Sequence, residues 1–389
     1  MELDGLKVAV VGAGIGGLAA ALCLRTRGAD VLVLEQAEAI REVGAGIQVS
    51  PNGMKVLRAL GLAEDLRART VGGRAVVLRD YRGAQVLRME LSALEDAGDY
   101  RFVHRADIIE LLAGAARDRG VKIRLLQKAT EVVPGAPARV VLCHGDHVEA
   151  DLVVGADGLH SVLRPVLNGS AAPFFTGQVA WRAVVPNVVD HPPEAWVHMG
   201  PGRHVVSYPL RGGEMVNLVA VEERRGWVEE GWAQVDDAAN LRAAFAAFRG
   251  PVTRLISEVE QPGLWGLFRH PVAQTWHGTG VALLGDAAHP TLPFLAQGAN
   301  MALEDAWALG AAVGAEGLGG LARYQDWRRD RVARVIAAAN GNAWKYHLRN
   351  PLVRGVAHMG LGLVGRLAPE KMLRQFDWVY GYDVTRLGG

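Results

Sequence analysis

The sequence predicts an α/β fold with a helical C-terminal segment, and three observations predict it. A glycine-rich turn joins an apolar strand to a helix near the N-terminus. Two later apolar strands end in an acid at a glycine turn, and alternating, strand-like stretches lie between these segments.

Leu6 to Val11 is a short apolar, β-branched run, as a strand buried on both faces should be. Gly12-Ala13-Gly14-Ile15-Gly16-Gly17 follows, then a helix-like stretch from Leu18 to Arg27, stopped by Gly28. A second strand, Val31 to Leu34, ends at Glu35. Strand, glycine turn, helix, strand and acid in this order make a dinucleotide-binding unit. Gly12 permits the tight turn, Gly14 lets a pyrophosphate approach the backbone, and Gly17 lets helix and strand pack closely. The helix start then offers N–H groups and a positive dipole end to the phosphates. Glu35 is placed to accept hydrogen bonds from ribose hydroxyls, and its charge repels a 2′-phosphate, so FAD or NAD fits better than NADP. Gly360 to Gly365 repeats the glycine spacing without flanking strands and reads as part of a Gly-rich helical segment.

Composition excludes several classes. The 389 residues are 50% apolar and 21% charged, enough for a full hydrophobic core and a soft prior of two or three domains. Forty-two basic against forty-one acidic side chains leave a net charge of +1, without the basic field that nucleic-acid binding needs. Cys23 and Cys143 cannot form a disulfide scaffold and point to a reducing compartment. The uncharged run Val8 to Leu24 follows Glu2 and Asp4, where a signal peptide needs a basic front end, and with four glycines it is too short for a comfortable membrane span. A cytoplasmic location, with no membrane or nucleic-acid partner, is the expectation.

In the middle of the chain, Phe102-Val103-His104-Arg105 leads into a helix expected to open at Asp107, with Glu110 completing a capping box. Arg105 therefore sits at a strand-to-helix junction, where a cation can reach a phosphate. Val121 to Gln127 and Ala138 to Val154 read as strands, and Cys143-His144-Gly145-Asp146-His147 as a hairpin turn, not a metal site. Leu152 to Gly155 is another buried strand, followed by Asp157-Gly158. Val281 to Leu284 repeats this with Gly285-Asp286, then His289-Pro290, Pro293, and Gln297-Gly298-Ala299-Asn300 opening a helix. Such a helix start favours a site where negative charge develops.

GAGIGG with Glu35, GADGLHSVLR and GDAAHPTLPFLAQGAN resemble the three fingerprints of the single-component FAD aromatic hydroxylases, the salicylate and hydroxybenzoate hydroxylase family of flavoprotein monooxygenases. The likeness continues through REVGAGIQVSPN (Arg41 to Asn52), Trp181-Arg182, PGRHVVSYPL (Pro201 to Leu210) and DWVYGYD near the C-terminus. It implies a Rossmann-like FAD-binding domain (1–71, 98–172 and 266–340) interleaved with a mainly β substrate domain (72–97 and 173–265), and a C-terminal helical segment (341–389). Carried over by position, Gly12, Gly14, Ile15, Gly17 and Glu35 would hold the adenylate half of FAD. Arg105 and Asp157 would lie near the pyrophosphate and Asp286 near the ribityl chain. Arg41, Gly46, Ile47 and Pro293 belong to the same cofactor motifs, and Gly298, Ala299 and Asn300 would present backbone N–H groups to the flavin ring.

The activity implied is hydroxylation of a small hydroxylated aromatic or heteroaromatic acid. NADH or NADPH, bound transiently, reduces FAD, and dioxygen is activated as a flavin hydroperoxide. His204 and Tyr208 are four apart, so a strand places both on one face, where they could relay the substrate's phenolic proton. Relatives acting on hydroxylated aromatic acids carry His and Tyr at matching positions. Gln297 could reach the substrate from the flavin side, Gln48 stands where some relatives have His, and Arg182 could meet a substrate carboxylate or equally serve packing beside Trp181. The charge runs Glu222 to Arg225 and Arg328 to Arg334 read as solvated faces, and the C-terminal Trp and Tyr residues as a cover for the site or a homodimer contact. The rival readings are an FAD oxidase or dehydrogenase, a monooxygenase of a larger phenolic or quinone-type substrate, and a non-catalytic flavin-binding scaffold.

Overall fold

The computed structural model describes residues 2–40, 45–224 and 235–388. Five short strands form a parallel sheet in the order Lys122–Arg124, Asp30–Leu34, Lys7–Val11, Leu152–Gly155 and Val281–Leu283, with His277–Gly278 added antiparallel at the edge. Apolar β-branched residues dominate because helices cover this sheet, and Val10, Val33 and Val153 are fully buried. The helix Ile15–Arg25 packs against the long helix Gly298–Glu316. Small residues make that approach possible: a side chain at Gly310 would meet Cys23 Cβ at 2.9 Å. Cys23 itself is sealed in the core, and burial pushes its thiol up to about 12, so it is inert.

A second, seven-stranded sheet runs in the order Gly263–Arg269, Phe174–Pro186, Met215–Glu223, Arg203–Leu210, Glu194–Gly200, Ala75–Asp80 and Gln85–Glu90. All its pairings are antiparallel except that of Glu194–Gly200 with Ala75–Asp80. A small sheet, Gly46–Val49, Arg101–His104 and Val71–Gly72, lies where the two large sheets meet. Contact there is close. A side chain at Gly46 would strike the Tyr208 ring at 2.7 Å and Asn217 Cβ at 2.8 Å, and the Gly46 amide donates to Asn217 Oδ1 at 2.7 Å.

Two local expectations are corrected. The helix expected to open at Asp107 spans Arg105–Asp118, with His104 as its N-cap and no side-chain cap. The strand Arg101–His104 runs straight into it, and the Arg105 amide donates to the Ala45 carbonyl at 3.0 Å, so no capping box with Glu110 forms. The charge run Arg328 to Arg334 is no solvated face at its start. Arg328 is 0% exposed and meets both Glu304 (2.6 Å) and Asp305 (2.7 Å), while Arg331 bonds Glu304 at 2.8 Å. These pairs join the helix Leu321–Tyr346 to Gly298–Glu316. The hairpin turn Cys143 to Asp146 joins the antiparallel strands Ala138–Leu142 and His147–Ala150. Gly360 to Gly365 lies inside the helix Pro351–Leu367. No helix among the described residues is long and apolar enough to cross a membrane.

Candidate active site

Strand register assembles the site. Val11 pairs with Leu34 on one side and Gly155 on the other, and Gly155 pairs with Leu283, so four strands end in one row. The next residues along each chain are Gly12, Glu35, Ala156-Asp157 and Leu284-Gly285-Asp286. Segments far apart in sequence thus share the carboxyl edge of one parallel sheet, where open α/β sheets bind their ligands. A cleft of about 360 Å³ opens there, within the size range of ligand pockets.

The glycines of the first turn do different work. Gly12 has φ +104°, and a side chain on it would meet the Ala156 carbonyl oxygen at 2.5 Å. A Cβ at Gly17 would fall 2.0 Å from the Gly12 oxygen. Gly14 is the reverse case: nothing lies within 4 Å of its missing Cβ, and it lines the cleft with Ile15. Its bare backbone is a cradle for a ligand. Glu35 accepts from the Ala13 amide at 2.8 Å and the Ala37 amide at 2.9 Å, which pins its carboxylate beside the turn. Asp157 accepts from the Val162 amide at 2.8 Å, while its buried Oδ1 has no hydrogen-bond partner. Burial raises its pKa, against several hydrogen bonds. A bare-backbone cradle beside a ribose-type acid suits a dinucleotide such as FAD.

The far end of the cradle is built by the turn Pro293–Leu295 and the helix it feeds. Ala296 holds a left-handed conformation, φ +53°, which costs a non-glycine residue free energy. Asn300 restrains it by donating to the Ala296 oxygen at 2.9 Å and the Gln48 oxygen at 3.0 Å, and by accepting from the Ser50 amide at 3.0 Å. Gly298 and Ala299 therefore reach the cleft at the start of a helix without a side-chain cap, where amides stay available. Arg105 and Asp286 line the same space. The protein atoms ringing Asp286 raise its pKa, although it is exposed to the cleft; His289 and Arg105 oppose that rise.

The opposite wall is the seven-stranded sheet. His204, Val206 and Tyr208 alternate along Arg203–Leu210 and all line the cleft, whereas Val205 packs on the reverse face with Trp181 and Phe245. Tyr208 stacks on Phe102 at 5.1 Å, and burial raises its pKa while Arg182 opposes the rise. Arg182 lines the cleft with its guanidinium 3.9 Å over the Trp265 ring. Gly46, Ile47 and Gln48 form the seam between the walls, and Tyr100 donates to Gln48 Oε1 at 2.6 Å.

Gln297 is corrected. It is buried away from the cleft, donates to Ser50 Oγ at 3.0 Å and accepts from Asn52 at 3.0 Å. Asn52 in turn donates to Glu304 at 2.6 Å, so Gln297 ties the turn to the buried charge network. The local reason is the left-handed Ala296, which turns the following side chain inward. Arg41 lies outside the described residues. The C-terminal question is decided in part: Phe376 and Tyr380 line the cleft, while Trp378 is covered by Arg334 at 3.9 Å. The residue sequence reasoning missed is His347, whose Nε2 stands 2.7 Å from His204 Nδ1. No motif marks it, since its partner lies 143 residues away.

The two cradle glycines give contrasting expectations. Gly14→Ala should fold like the wild type, because the added Cβ meets no protein atom within 4 Å, and Gly14→Val should weaken FAD binding at least about tenfold, or about 1.4 kcal/mol. Gly17→Ala should instead lower the melting temperature through its clash with the Gly12 carbonyl. Flavin absorbance after gel filtration and thermal unfolding read the pair. Gly14→Val with undiminished flavin would contradict the cradle.

Residues 5–339 match the family model described as FAD binding domain. The chain is 37% identical over 358 residues to 3-amino-4-hydroxybenzoate 2-monooxygenase of Streptomyces cremeus, covering 88% of each chain. It is 35% identical over 399 residues to 3-hydroxybenzoate 6-hydroxylase of Polaromonas naphthalenivorans, covering 97% of this chain and 96% of the other. Among solved structures, Klebsiella pneumoniae HpxO complexed with FAD and uric acid superposes with a TM-score of 0.83 at 26% identity, covering 96% of both chains.

Proposed function

The chain belongs to the FAD-binding-domain family of flavoprotein aromatic monooxygenases, and from that premise we propose that it hydroxylates a small phenolic acid of the hydroxybenzoate or hydroxynicotinate type. The observation that carries this reading is the cleft itself, which brings an imidazole, a phenol and a guanidinium from one sheet face against a glycine cradle and a helix N-terminus. FAD, reduced by NADH or NADPH, supplies the activated dioxygen for the aromatic ring. In this reading Gly12, Gly14, Ile15, Gly17 and Glu35 would hold its adenosine end, Arg105 its phosphates with Asp157 near them, and Asp286 its ribityl chain. Gly46, Ile47, Pro293, Gly298 and Ala299 surround its ring, with Asn300 positioning the turn.

The protein's own residues prepare the substrate. Burial and the neighbouring His347 hold the His204 pKa well below its ordinary value, so the ring is neutral and can accept a proton. A phenol that loses its proton becomes a stronger carbon nucleophile, the form in which an aromatic ring is best attacked by electrophilic oxygen. Tyr208, kept protonated by burial, donates a hydrogen bond and does not compete for that proton. Apolar neighbours Val76, Val197 and Val219 exclude water around the ring. Arg182 would take the carboxylate; a charge-assisted hydrogen bond is worth about 1.5–3 kcal/mol, so Arg182→Met should raise KM roughly ten- to hundredfold with a smaller change in kcat.

A substrate panel tests the reading. 3-Hydroxybenzoate, 3-amino-4-hydroxybenzoate, salicylate, 6-hydroxynicotinate and larger phenols would be mixed with enzyme while NADH and NADPH oxidation and product are followed. Labelled dioxygen should appear in the product of at least one small acid. Peroxide alone from every acid would favour an oxidase, and turnover confined to large phenols would overturn the substrate class.

A further inference from the structure

We propose that His204, His347 and Glu223 form a proton relay joining the substrate hydroxyl in the cleft to bulk solvent, with Arg349 holding its outer end. This rests on the reading of the cleft as a site for a phenolic acid.

The chain of contacts is continuous. His204 Nδ1 lies 2.7 Å from His347 Nε2, and His347 Nδ1 lies 2.8 Å from Glu223 Oε1. Arg349 donates to the other Glu223 oxygen at 2.6 Å and 3.1 Å. Exposure rises along it: His204 and His347 are buried, the Glu223 side chain is 32% exposed and that of Arg349 is 68% exposed. The chain thus begins in the cleft and ends at the surface.

Hydrogen-bond roles set its direction. A carboxylate only accepts, so His347 Nδ1 must donate to Glu223. Neutral His347 then has a bare Nε2, which must accept, so His204 Nδ1 carries the hydrogen. The remaining nitrogen of His204, Nε2, is left with its lone pair on the cleft-lining ring. Glu223 therefore selects, through two imidazoles, the tautomer of His204 that can act as a base.

The transfer balances without any other reactant. The substrate O–H bond breaks and His204 Nε2–H forms; His204 Nδ1–H breaks and His347 Nε2–H forms. The electron pair stays on the substrate oxygen; His347 Nδ1–H then breaks as Glu223 Oε1–H forms, and Glu223, at the exposed end, passes the proton to solvent. The same path in reverse returns the proton when the hydroxylated ring regains aromaticity. Burial lowers both imidazoles, which makes His204 a poor resting place for a proton; Glu223 opposes that lowering at His347, and Arg349 and Arg203 reinforce it. Phe294 and Tyr346 flank the His204 ring at 5.5 Å and 5.4 Å and keep water from it.

The backbone holds this alignment. Gly202 has φ +69°, its amide donates to the His347 carbonyl at 3.1 Å, and Arg349 Nη2 lies 2.9 Å from where a side chain would stand. The positive φ of this turn is what favours glycine at 202.

Two measurements test the relay on full-length, FAD-loaded oxidised enzyme. Long-range ¹H–¹⁵N spectra of histidine-labelled protein without substrate should show Nδ1–H tautomers for both His204 and His347; an Nε2–H tautomer at either would overturn the relay. In the second, the small acids of the panel that bind are mixed with enzyme and an indicator dye, following phenolate absorbance and proton release together. His347→Gln can still accept from His204 and donate to Glu223, yet cannot carry a proton. It should slow both signals at least about tenfold, a fraction of the usual value of acid–base assistance, with unchanged FAD content. Glu223→Gln should slow them in the same direction. Wild-type rates in His347→Gln would overturn the relay. If no phenolic acid binds the wild type, the substrate reading fails, and the tautomers still decide the relay geometry.

Discussion

His204→Ala is expected to retain FAD and to lose about 10²–10⁴-fold in hydroxylation rate near neutral pH, the range of a positioned acid–base group. The cofactor cradle is made by the carboxyl edge of the parallel sheet and the turn before Gly298, none of which His204 supports through a hydrogen bond. Without the imidazole the substrate remains a phenol, its ring reacts too slowly, and electrons from NADH end in hydrogen peroxide. Raising the pH toward a phenol's own pKa of about 10 should restore part of the product yield, because bulk hydroxide then does the work of the base. The measurement is product formed per NADH consumed, alongside bound flavin. Full coupling at pH 7 would leave His204 as a structural residue of the sheet.

Arg328→Met is expected to cost about 3–5 kcal/mol of stability, as removal of one member of a buried ion pair does. Glu304 and Asp305 are both 0% exposed, and Arg328 faces both. Burial works against their charge, yet Arg328 helps hold both pKa values below the ordinary 4.5 and 3.8, with Arg331 at Glu304 and His289 at Asp305. The wild type therefore has the full contribution of these carboxylates above those ordinary values, and loses it as pH falls through the depressed folded ones. In the variant the sign reverses, because desolvation dominates and favours protonation. Its deficit should be largest at neutral pH and shrink as the pH approaches 4. Urea unfolding at pH 7.5 and pH 4.5 reads both effects; a variant within about 1 kcal/mol of wild type, the usual ceiling for an exposed pair, would mean the network adds little.

Much of the cofactor side was legible in the sequence because its signals are local. Gly17 is required by its contact with the Gly12 carbonyl and Gly12 by its positive φ, both inside one strand–turn–helix unit, and the order of strand, turn, helix and acid shows that unit without a fold. The strand alternation that puts His204 and Tyr208 on one face is equally local, being the period of an extended chain. Arg328 misled for the same reason. A run of arginines looks solvated until two acids from another helix are packed against it, and only packing brings Glu304 and Asp305 there.

Local chemistry and periodicity in the chain alone determined the α/β class, the three glycine–acid turns and the polar face of the Arg203–Leu210 strand. Tertiary structure alone decided which turns meet, since the shared row from Val11 to Leu283 depends on register between paired strands up to 144 residues apart, as Val11 with Gly155. It also turned Gln297 inward, through the left-handed Ala296 and its bonds to Ser50 and Asn52, and set His347 against His204. Backbone conformation follows from neighbours along the chain. A hydrogen bond between side chains of different elements is specified by how those elements pack, and no pattern along a single segment encodes it.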